Sequence, residues 1–171
     1  MQKMTSAYAN KMLKSLEEDK GYWVNKEYAS STYVVANNEE PVVPDYDYAQ
    51  VASTIAALDE KIAIIKHALN VTNATAKVQV GGTEMSIDTI LIKMAQLNKR
   101  KSVLDQMRKH LPKEREEQRS YMSRNSVPEY RYINYDLDLI KQEYERVSKT
   151  IMEMQMALDK YNQTVQFEVE I

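Results

Sequence analysis

The sequence predicts a mainly α-helical protein, a long antiparallel bundle of heptad-patterned helices with a few short strands. Glycine and proline, which interrupt helices, are scarce, with three and four copies among 171 residues. Two long segments, near residues 48–69 and 137–161, place apolar residues at alternating steps of three and four, the spacing of a coiled-coil seam. The length suits one domain, in which residues 1–48 form an N-terminal helix and a connection and residues 49–171 form the core.

A first helix is predicted over residues 5–28, with the side chain of Thr5 or Ser6 as its N-terminal cap. The apolar stripe of this segment is imperfect, so the helix is expected to bury only part of one face. The positions expected to face inward are Met12, Leu16 and Trp23.

A connection is predicted over residues 29–47, where the helical period is lost. Pro41 and Pro44 disfavour helix in the residues just before them. A short extended piece is expected at residues 32–35, which are rich in Thr, Tyr and Val.

The second predicted helix follows a cap at Asp45 or Asp47 and carries a heptad seam. The polar residues 70–75 are expected to end it, because short polar side chains compete for backbone hydrogen bonds. Gly81 and Gly82 then predict the turn of a small β-hairpin over residues 77–85. The seam positions are Val51, Ile55, Leu58, Ile62, Ile65 and Leu69.

A third helix is predicted after Ser86, which provides the N-cap, with Asp88 in the first turn. Pro112 ends or bends this helix, and residues 113–124 are expected to form a solvated helical turn or a loop. The apolar positions of the third helix are Ile87, Ile90, Leu91, Met94, Leu97 and Leu104.

The last part of the chain predicts a strand, a helix and a strand. Residues 129–134 alternate, with Tyr130 and Tyr132 on one face, and a fourth helix follows from Asp136. Residues 164–171 alternate again, and such a strand needs a partner strand. The apolar positions of the fourth helix are Leu137, Ile140, Tyr144, Val147, Ile151, Met154, Leu158 and Tyr161.

A polar element marks the end of the second helix and the turn after it: Asn70, Thr72, Asn73 and Thr75, then Gly82 and Thr83, then Ser86. Further on stand residues 130–137 before the last helix and residues 162–164 at its end. On these residues the chain from about 49 to 164 resembles the septicolysin-like family of uncharacterised bacterial helical proteins. The Arg-Asp pair typical of that family early in the third helix is replaced here by Ile92, Lys93 and Met94.

The resemblance implies a long helical hairpin bundle that assembles into a homo-oligomer and has no established enzymatic activity. The family name refers to a proposed cytolytic, pore-forming member. A membrane-active protein is therefore one alternative function, and it rests on the family name alone.

Two polar clusters are candidate sites. The first, which we call the polar corner, consists of Asn70, Thr72, Asn73 and Thr75. It would suit an oligomer axis or a small polar ligand, although helix capping and anchoring of the hairpin explain the same residues.

The second cluster is a basic block over residues 99–124, with nine basic and four acidic side chains. It could bind an anionic partner, but the pI of 5.8 and a single aromatic residue in the block, Tyr121, argue against nucleic acid. The alternatives are that it faces an acidic helix, the first or the fourth, or that it is solvated. Its candidate anion-binding residues are Lys99, Arg100, Lys101, Arg108 and Lys109.

Residue patterns for catalysis, metal binding or a cofactor are missing from the sequence. There is no cysteine, His67 and His110 are isolated, and no nucleophile triad or phosphate-binding loop occurs. Acidic residues at the start of the fourth helix fit the helix dipole better than a metal site. No secretory signal or apolar membrane span is present, so a cytoplasmic location is expected, with no membrane partner.

The sequence thus predicts a non-enzymatic helical protein that self-associates. The alternatives are the membrane-active protein and a binder of nucleic acid or another anionic partner through the basic block. The seam expected to be buried within and between subunits consists of Ile55, Leu58, Ile62, Ile65, Ile140, Tyr144, Val147, Ile151 and Leu158.

Overall fold

The computed structural model describes residues 1–116 and 127–171 of the chain. Within these ranges the elements are β1 (Gln2–Thr5), α1 (Ser6–Ser30), α2 (Tyr48–Thr75), β2 (Lys77–Val80), β3 (Thr83–Ser86), α3 (Ile87–Met107), β4 (Lys113–Arg115), β5 (Tyr130–Tyr132), α4 (Leu137–Thr164) and β6 (Gln166–Val169). The strands pair as three two-stranded ribbons, β1 with β6, β2 with β3 and β4 with β5. The mainly helical class with short strands is therefore confirmed.

The described residues pack into two compact units. The first contains Met1–Val78 and Leu158–Ile171, and the second lies within Gln79–Ala157. In the first unit α1 and α2 share a core with the β1–β6 ribbon, which consists of Met4, Ala9, Leu13, Ile62, Ile65, Leu69 and Val169. In the second unit α3 and α4 share a core around Leu104, Ile140 and Val147.

Helices α1 and α2 run antiparallel in the first unit. Their ion pairs show the direction, since Lys66 bonds Glu17 at 2.7 Å and Lys20 bonds Asp59 at 2.6 Å. Both pairs are about half exposed, so each adds little stability. Burial of the apolar core between the helices holds the pair together.

Aspartates start the two longest helices in the same way. Oδ1 of Asp47 accepts hydrogen bonds from the backbone N–H groups two and three residues ahead, at 2.9 and 3.2 Å. Oδ1 of Asp136 does the same at 2.8 and 3.1 Å. Because the first N–H groups of a helix have no partner inside it, these bonds fix where α2 and α4 begin.

The two halves of the chain share a pattern of a strand, two helices and a second strand, and the second half also has the β4–β5 ribbon between its helices. A shift of 89 positions carries the 28 residues of α2 onto the 28 residues of α4, and β2 onto β6. Both of these strands bury only their last residue. Three buried helical positions coincide, Val51 with Ile140, Ile65 with Met154 and Leu69 with Leu158. We call residues 2–80 the first module and residues 83–169 the second.

The ribbons at the ends of the modules follow the same pattern. A two-glycine turn with positive φ angles, 55° and 81°, joins β2 to β3, so Val80 and Thr83 face each other across it. In the β1–β6 ribbon Gln2, the first residue of β1, pairs with Val169, the last residue of β6. Likewise, Thr83 is the first residue of β3 and Val80 is the last residue of β2. Each ribbon thus joins the last strand of one module to the first strand of the other. The predicted C-terminal strand finds its partner here, in a strand that the sequence analysis missed.

The predicted break at residues 70–75 is wrong, because α2 continues to Thr75. The Thr75 hydroxyl donates to the carbonyl of Val71 at 2.8 Å, so this side chain bonds within the helix instead of competing with it. The backbone N–H of Ala76 closes the last turn by donating to the carbonyl of Thr72 at 2.8 Å.

The predicted connection between the first two helices is found at residues 31–47, and residues 32–35 within it pair with no strand of the described chain. A prediction for the later connection is wrong. Residues 113–115 form β4 instead of a helical turn or loop, because β5 pairs with them in antiparallel register. The rest of that predicted segment, up to residue 124, lies mostly outside the described residues.

Of the two caps predicted for the first helix, Thr5 is confirmed, and its Oγ1 accepts from the N–H of Tyr8 at 3.2 Å. In α3, Ser86 stands at the cap position, but its hydroxyl bonds the carboxylate of Asp88 and lies 2.8 Å from the hydroxyl of Thr89. The buried face of α1 consists of Ser6, Ala9 and Leu13, whereas the predicted Met12, Leu16 and Trp23 are half-buried.

Candidate interaction surfaces

The polar corner is part of the last turns of α2 and not a separate loop. Asn70 and Thr75 are exposed, and Thr72 and Asn73 are half-buried. The hydrogen bonds in the described residues go to the helix itself, from Thr75 to Val71 and from Ala76 to Thr72. This geometry favours the structural interpretation of the corner over a ligand site, whose existence stays a prediction.

The basic block divides between an exposed part and a part packed on α4. Lys99 and Arg100 are exposed on α3. Further along, the Arg108 guanidinium lies 3.8 Å from the ring centre of Tyr144, and the Lys101 ammonium lies 5.5 Å from the same ring. Tyr144, predicted as a seam residue, therefore provides an aromatic face for two cations.

Asp105 neutralises much of the charge at the end of α3. Its carboxylate accepts from Nε of Arg108 at 2.9 Å and from Nζ of Lys109 at 2.5 Å. Two acidic residues of α4 lie near the basic block, Glu143 and Glu145. The pKa of Glu143 is lowered chiefly by a hydrogen bond from Arg146, with Arg100 adding a smaller Coulombic effect.

A cavity of about 350 Å³ lies at this end of α3. It is lined by Arg108, Lys109, Lys141 and Glu145. An anion entering it would compete with Asp105 for two of the three cations and would meet the carboxylate of Glu145. The cavity is therefore a weak candidate for anion binding. Two other residues of the predicted block, Arg119 and Arg124, lie outside the described residues, as does Tyr121.

Acid should loosen the Asp105 cluster. The pKa of Asp105 is lowered from its ordinary 3.8, first by the hydrogen bond from Lys109 and then by that from Arg108. Since the folded-state pKa lies below that of the unfolded chain, ionised Asp105 stabilises the fold above the ordinary value, and this contribution is lost as the pH falls through the lowered one. We expect an NMR titration of the Asp105 carboxyl carbon to have a midpoint below 3.8. An unshifted midpoint would contradict this pairing, and Asp105→Asn should remove this part of the acid sensitivity.

The β4–β5 ribbon has two different faces. Residues directly opposite in an antiparallel pair share a face, and Lys113 pairs with Tyr132 and Arg115 with Tyr130. The Lys113 ammonium lies 4.3 Å and 5.5 Å from the ring centres of Tyr130 and Tyr132. We call these four exposed residues the basic-aromatic face. The opposite face holds Glu114 and Arg131, and Arg131 forms an ion pair with Glu116 at 2.7 Å.

The α1–α2 connection, residues 31–47, is exposed along most of its length. It contains four acidic residues and no basic one. It also exposes large apolar side chains, with Val42 90% and Val43 62% accessible and Val34 fully so. The C-terminal cap of α1 and the N-terminal cap of α2 flank this acidic and apolar segment, so it lies at one end of the first unit.

The predicted seam is divided between buried and half-buried positions. Ile62, Ile65, Ile140, Val147 and Leu158 are buried within the chain, so they are not available for contacts between subunits. Ile55, Leu58, Tyr144 and Ile151 are half-buried. The half-buried pair in α2 lies near the connection, where α1 and α2 leave their seam incompletely covered.

The described residues contain neither a metal-binding cluster nor a membrane-spanning helix. In residues 1–116 and 127–171, no group of three or more histidine, aspartate or glutamate side chains is placed to hold a metal ion. In the same part of the chain, no helix combines the length and apolar character needed to cross a bilayer.

Comparison with known proteins extends the description of the fold. No family model matches the chain, and no curated protein matches it in sequence. The chain is similar in structure to a functionally unknown conserved protein from Corynebacterium diphtheriae, with a TM-score of 0.67 and 13% sequence identity. The match covers 98% of this chain and 100% of that one. At this identity the likeness concerns the fold alone, and the two proteins share it over nearly their whole lengths.

Proposed function

We propose that the protein is a non-enzymatic, cytoplasmic helical protein that acts by self-association, and that it belongs to the septicolysin-like family. One observation carries the proposal of self-association: the α1–α2 end of the first unit exposes many large apolar side chains. Soluble proteins rarely leave such residues clustered in water, and clusters of this kind mark interaction sites. The exposed residues are Tyr22, Val24, Tyr28, Tyr33, Val34, Val35, Val42, Val43 and Tyr48.

The half-buried seam near this end supports the same proposal. Ile55 and Leu58 continue the heptad spacing of α2, but α1 covers them only in part. A helix from a second copy could complete this seam in the manner of a coiled coil. The long bundle predicted from the heptads would then exist in the assembly, with the described helices as its building blocks.

Self-association should depend on the apolar side chains of the connection. We expect the wild-type protein to have a mass above 19.9 kDa by light scattering, rising with concentration. The double variant Val42→Asp/Val43→Asp should weaken association at least tenfold, because it places two charges in the contact. Leu139→Asp is the control, since Leu139 is 61% accessible, close to the 62% of Val43, but lies on α4. A monomer at all concentrations would disprove the proposed function.

A further inference from the structure

We propose that the α1–α2 connection of one copy binds the basic-aromatic face of the β4–β5 ribbon of a second copy. The inference rests on the proposed self-association and identifies its two contact surfaces. The connection and the ribbon occupy corresponding places in the two modules, since each lies between the two helices of its module. Each module thus has a different segment between its two helices. In the first module it is the acidic and apolar connection, and in the second it is the basic and aromatic ribbon.

Over the paired residues 113–115 and 130–132, the basic-aromatic face offers positive charge and aromatic rings and holds no acidic residue. Lys113, Arg115, Tyr130 and Tyr132 make up this face through their cross-strand pairing. The acidic residues of the ribbon, by contrast, lie on the opposite face, where Arg131 balances Glu116. A partner on the basic-aromatic face would need negative charge together with apolar groups that cover the rings.

The connection offers that combination. Glu39, Glu40 and Asp45 flank Val42 and Val43, and no basic residue occurs between positions 31 and 47. Within the described residues, the side chains of Glu39, Glu40 and Asp45 form no hydrogen bond or ion pair. Their charges are therefore free to pair with Lys113 and Arg115.

The backbone of the connection also suits a ribbon as its partner. Pro41 and Pro44 favour an extended backbone in the residues just before them, and residues 40–47 belong to no helix, turn or strand of the described chain. A two-stranded ribbon has two open edges, each able to bond an added extended segment. Docking along an edge would place Val42 or Val43 toward Tyr130 and Tyr132, because alternate residues point to opposite faces.

This contact joins two different surfaces, so it is of the head-to-tail kind. Each copy keeps one connection and one ribbon free after the first contact, which leads to closed rings or to growing chains. Because charge pairs contribute to the contact, association should weaken as the salt concentration rises.

A charge-swap experiment on the full-length protein tests the proposal. The ribbon variant Lys113→Glu/Arg115→Glu and the connection variant Glu39→Lys/Glu40→Lys should each weaken association at least tenfold in sedimentation equilibrium. Mixing the two variants should restore assembly, because the acidic ribbon of one then meets the basic connection of the other. Circular dichroism confirms that each variant is folded. Lys93→Glu/Lys160→Glu, at exposed positions of α3 and α4, is the matched control and should associate like the wild type.

The outcomes separate this inference from the proposed function. A monomeric wild type overturns both. A wild type that associates, with both variants associating equally well or with no rescue on mixing, overturns the inference and leaves self-association standing. An alternative occupant of the ribbon is single-stranded nucleic acid, which stacks on aromatic rings. If the ribbon variant keeps its mass but loses retention on immobilised oligo-dT, the face binds nucleic acid and the inference is wrong.

Discussion

Replacement of Ile65 by alanine is expected to lower the free energy of unfolding by about 2–5 kcal/mol. Ile65 is fully buried, with 0% of its surface accessible, and it packs in the core that joins α1, α2 and the β1–β6 ribbon. The substitution removes three carbons from a closely packed site, so the loss contains both a transfer contribution and a cavity contribution. Urea denaturation followed by circular dichroism measures it.

The same substitution at Ile92 serves as the control for Ile65. Ile92 lies on α3 with 58% of its surface accessible, so Ile92→Ala should change stability by less than about 0.5 kcal/mol. Equal effects at the two positions would mean that the core of the first unit is not formed around Ile65.

A second large effect is expected for Val169→Asp, a destabilisation on the order of 3 kcal/mol or more. Val169 is 1% accessible and brings β6 into the core of the first unit, opposite Gln2. A carboxylate at this position has no basic partner in the described core, so the strand must leave the core or the acid must bind a proton. Hydrogen exchange of the β1 amides should speed up along with the loss of stability.

Val165→Asp tests whether the effect depends on burial. Val165 precedes β6 and is 43% accessible, so the same new charge stays in water there. We expect little loss of stability and unchanged exchange in β1. Rapid exchange of β1 in the wild type would contradict the role given to the ribbon.

The helices could be predicted from the sequence because their signals are local. Asp47 and Asp136 bond backbone groups within three residues, and the heptad spacing records burial on one side of each helix. β1 could not be predicted, since its only apolar residue is Met4 and its partner strand begins 164 positions after it. The end of α2 was missed because the Thr75 hydroxyl bonds within the helix, to the carbonyl of Val71.

The candidate surfaces were predicted only in part for a similar reason. Alternation placed Tyr130 and Tyr132 on one face, but the β4 residues opposite them are all charged and carry no strand signal. The sequence indicated the basic block only as a run of charged residues. In the structure, Arg108 of this block lies over the Tyr144 ring, whereas Lys113 lies over the Tyr130 ring of the β4–β5 ribbon. Which apolar residues of α2 remain uncovered depends on the length of α1, and heptad spacing does not encode that.

The pairing of β1 with β6 has a consequence for synthesis on the ribosome. β2 and β3 are separated by two residues and can pair as soon as both leave the exit tunnel, whereas β1 must wait until β6, which begins 164 residues later, has been made. At about 5–20 residues per second, this delay lasts roughly 8–33 s. Throughout it, Met4 and an open strand edge are exposed to solvent together with an incomplete α1–α2 core. The nascent chain is therefore most vulnerable to aggregation, and most dependent on chaperones, before its last strand emerges.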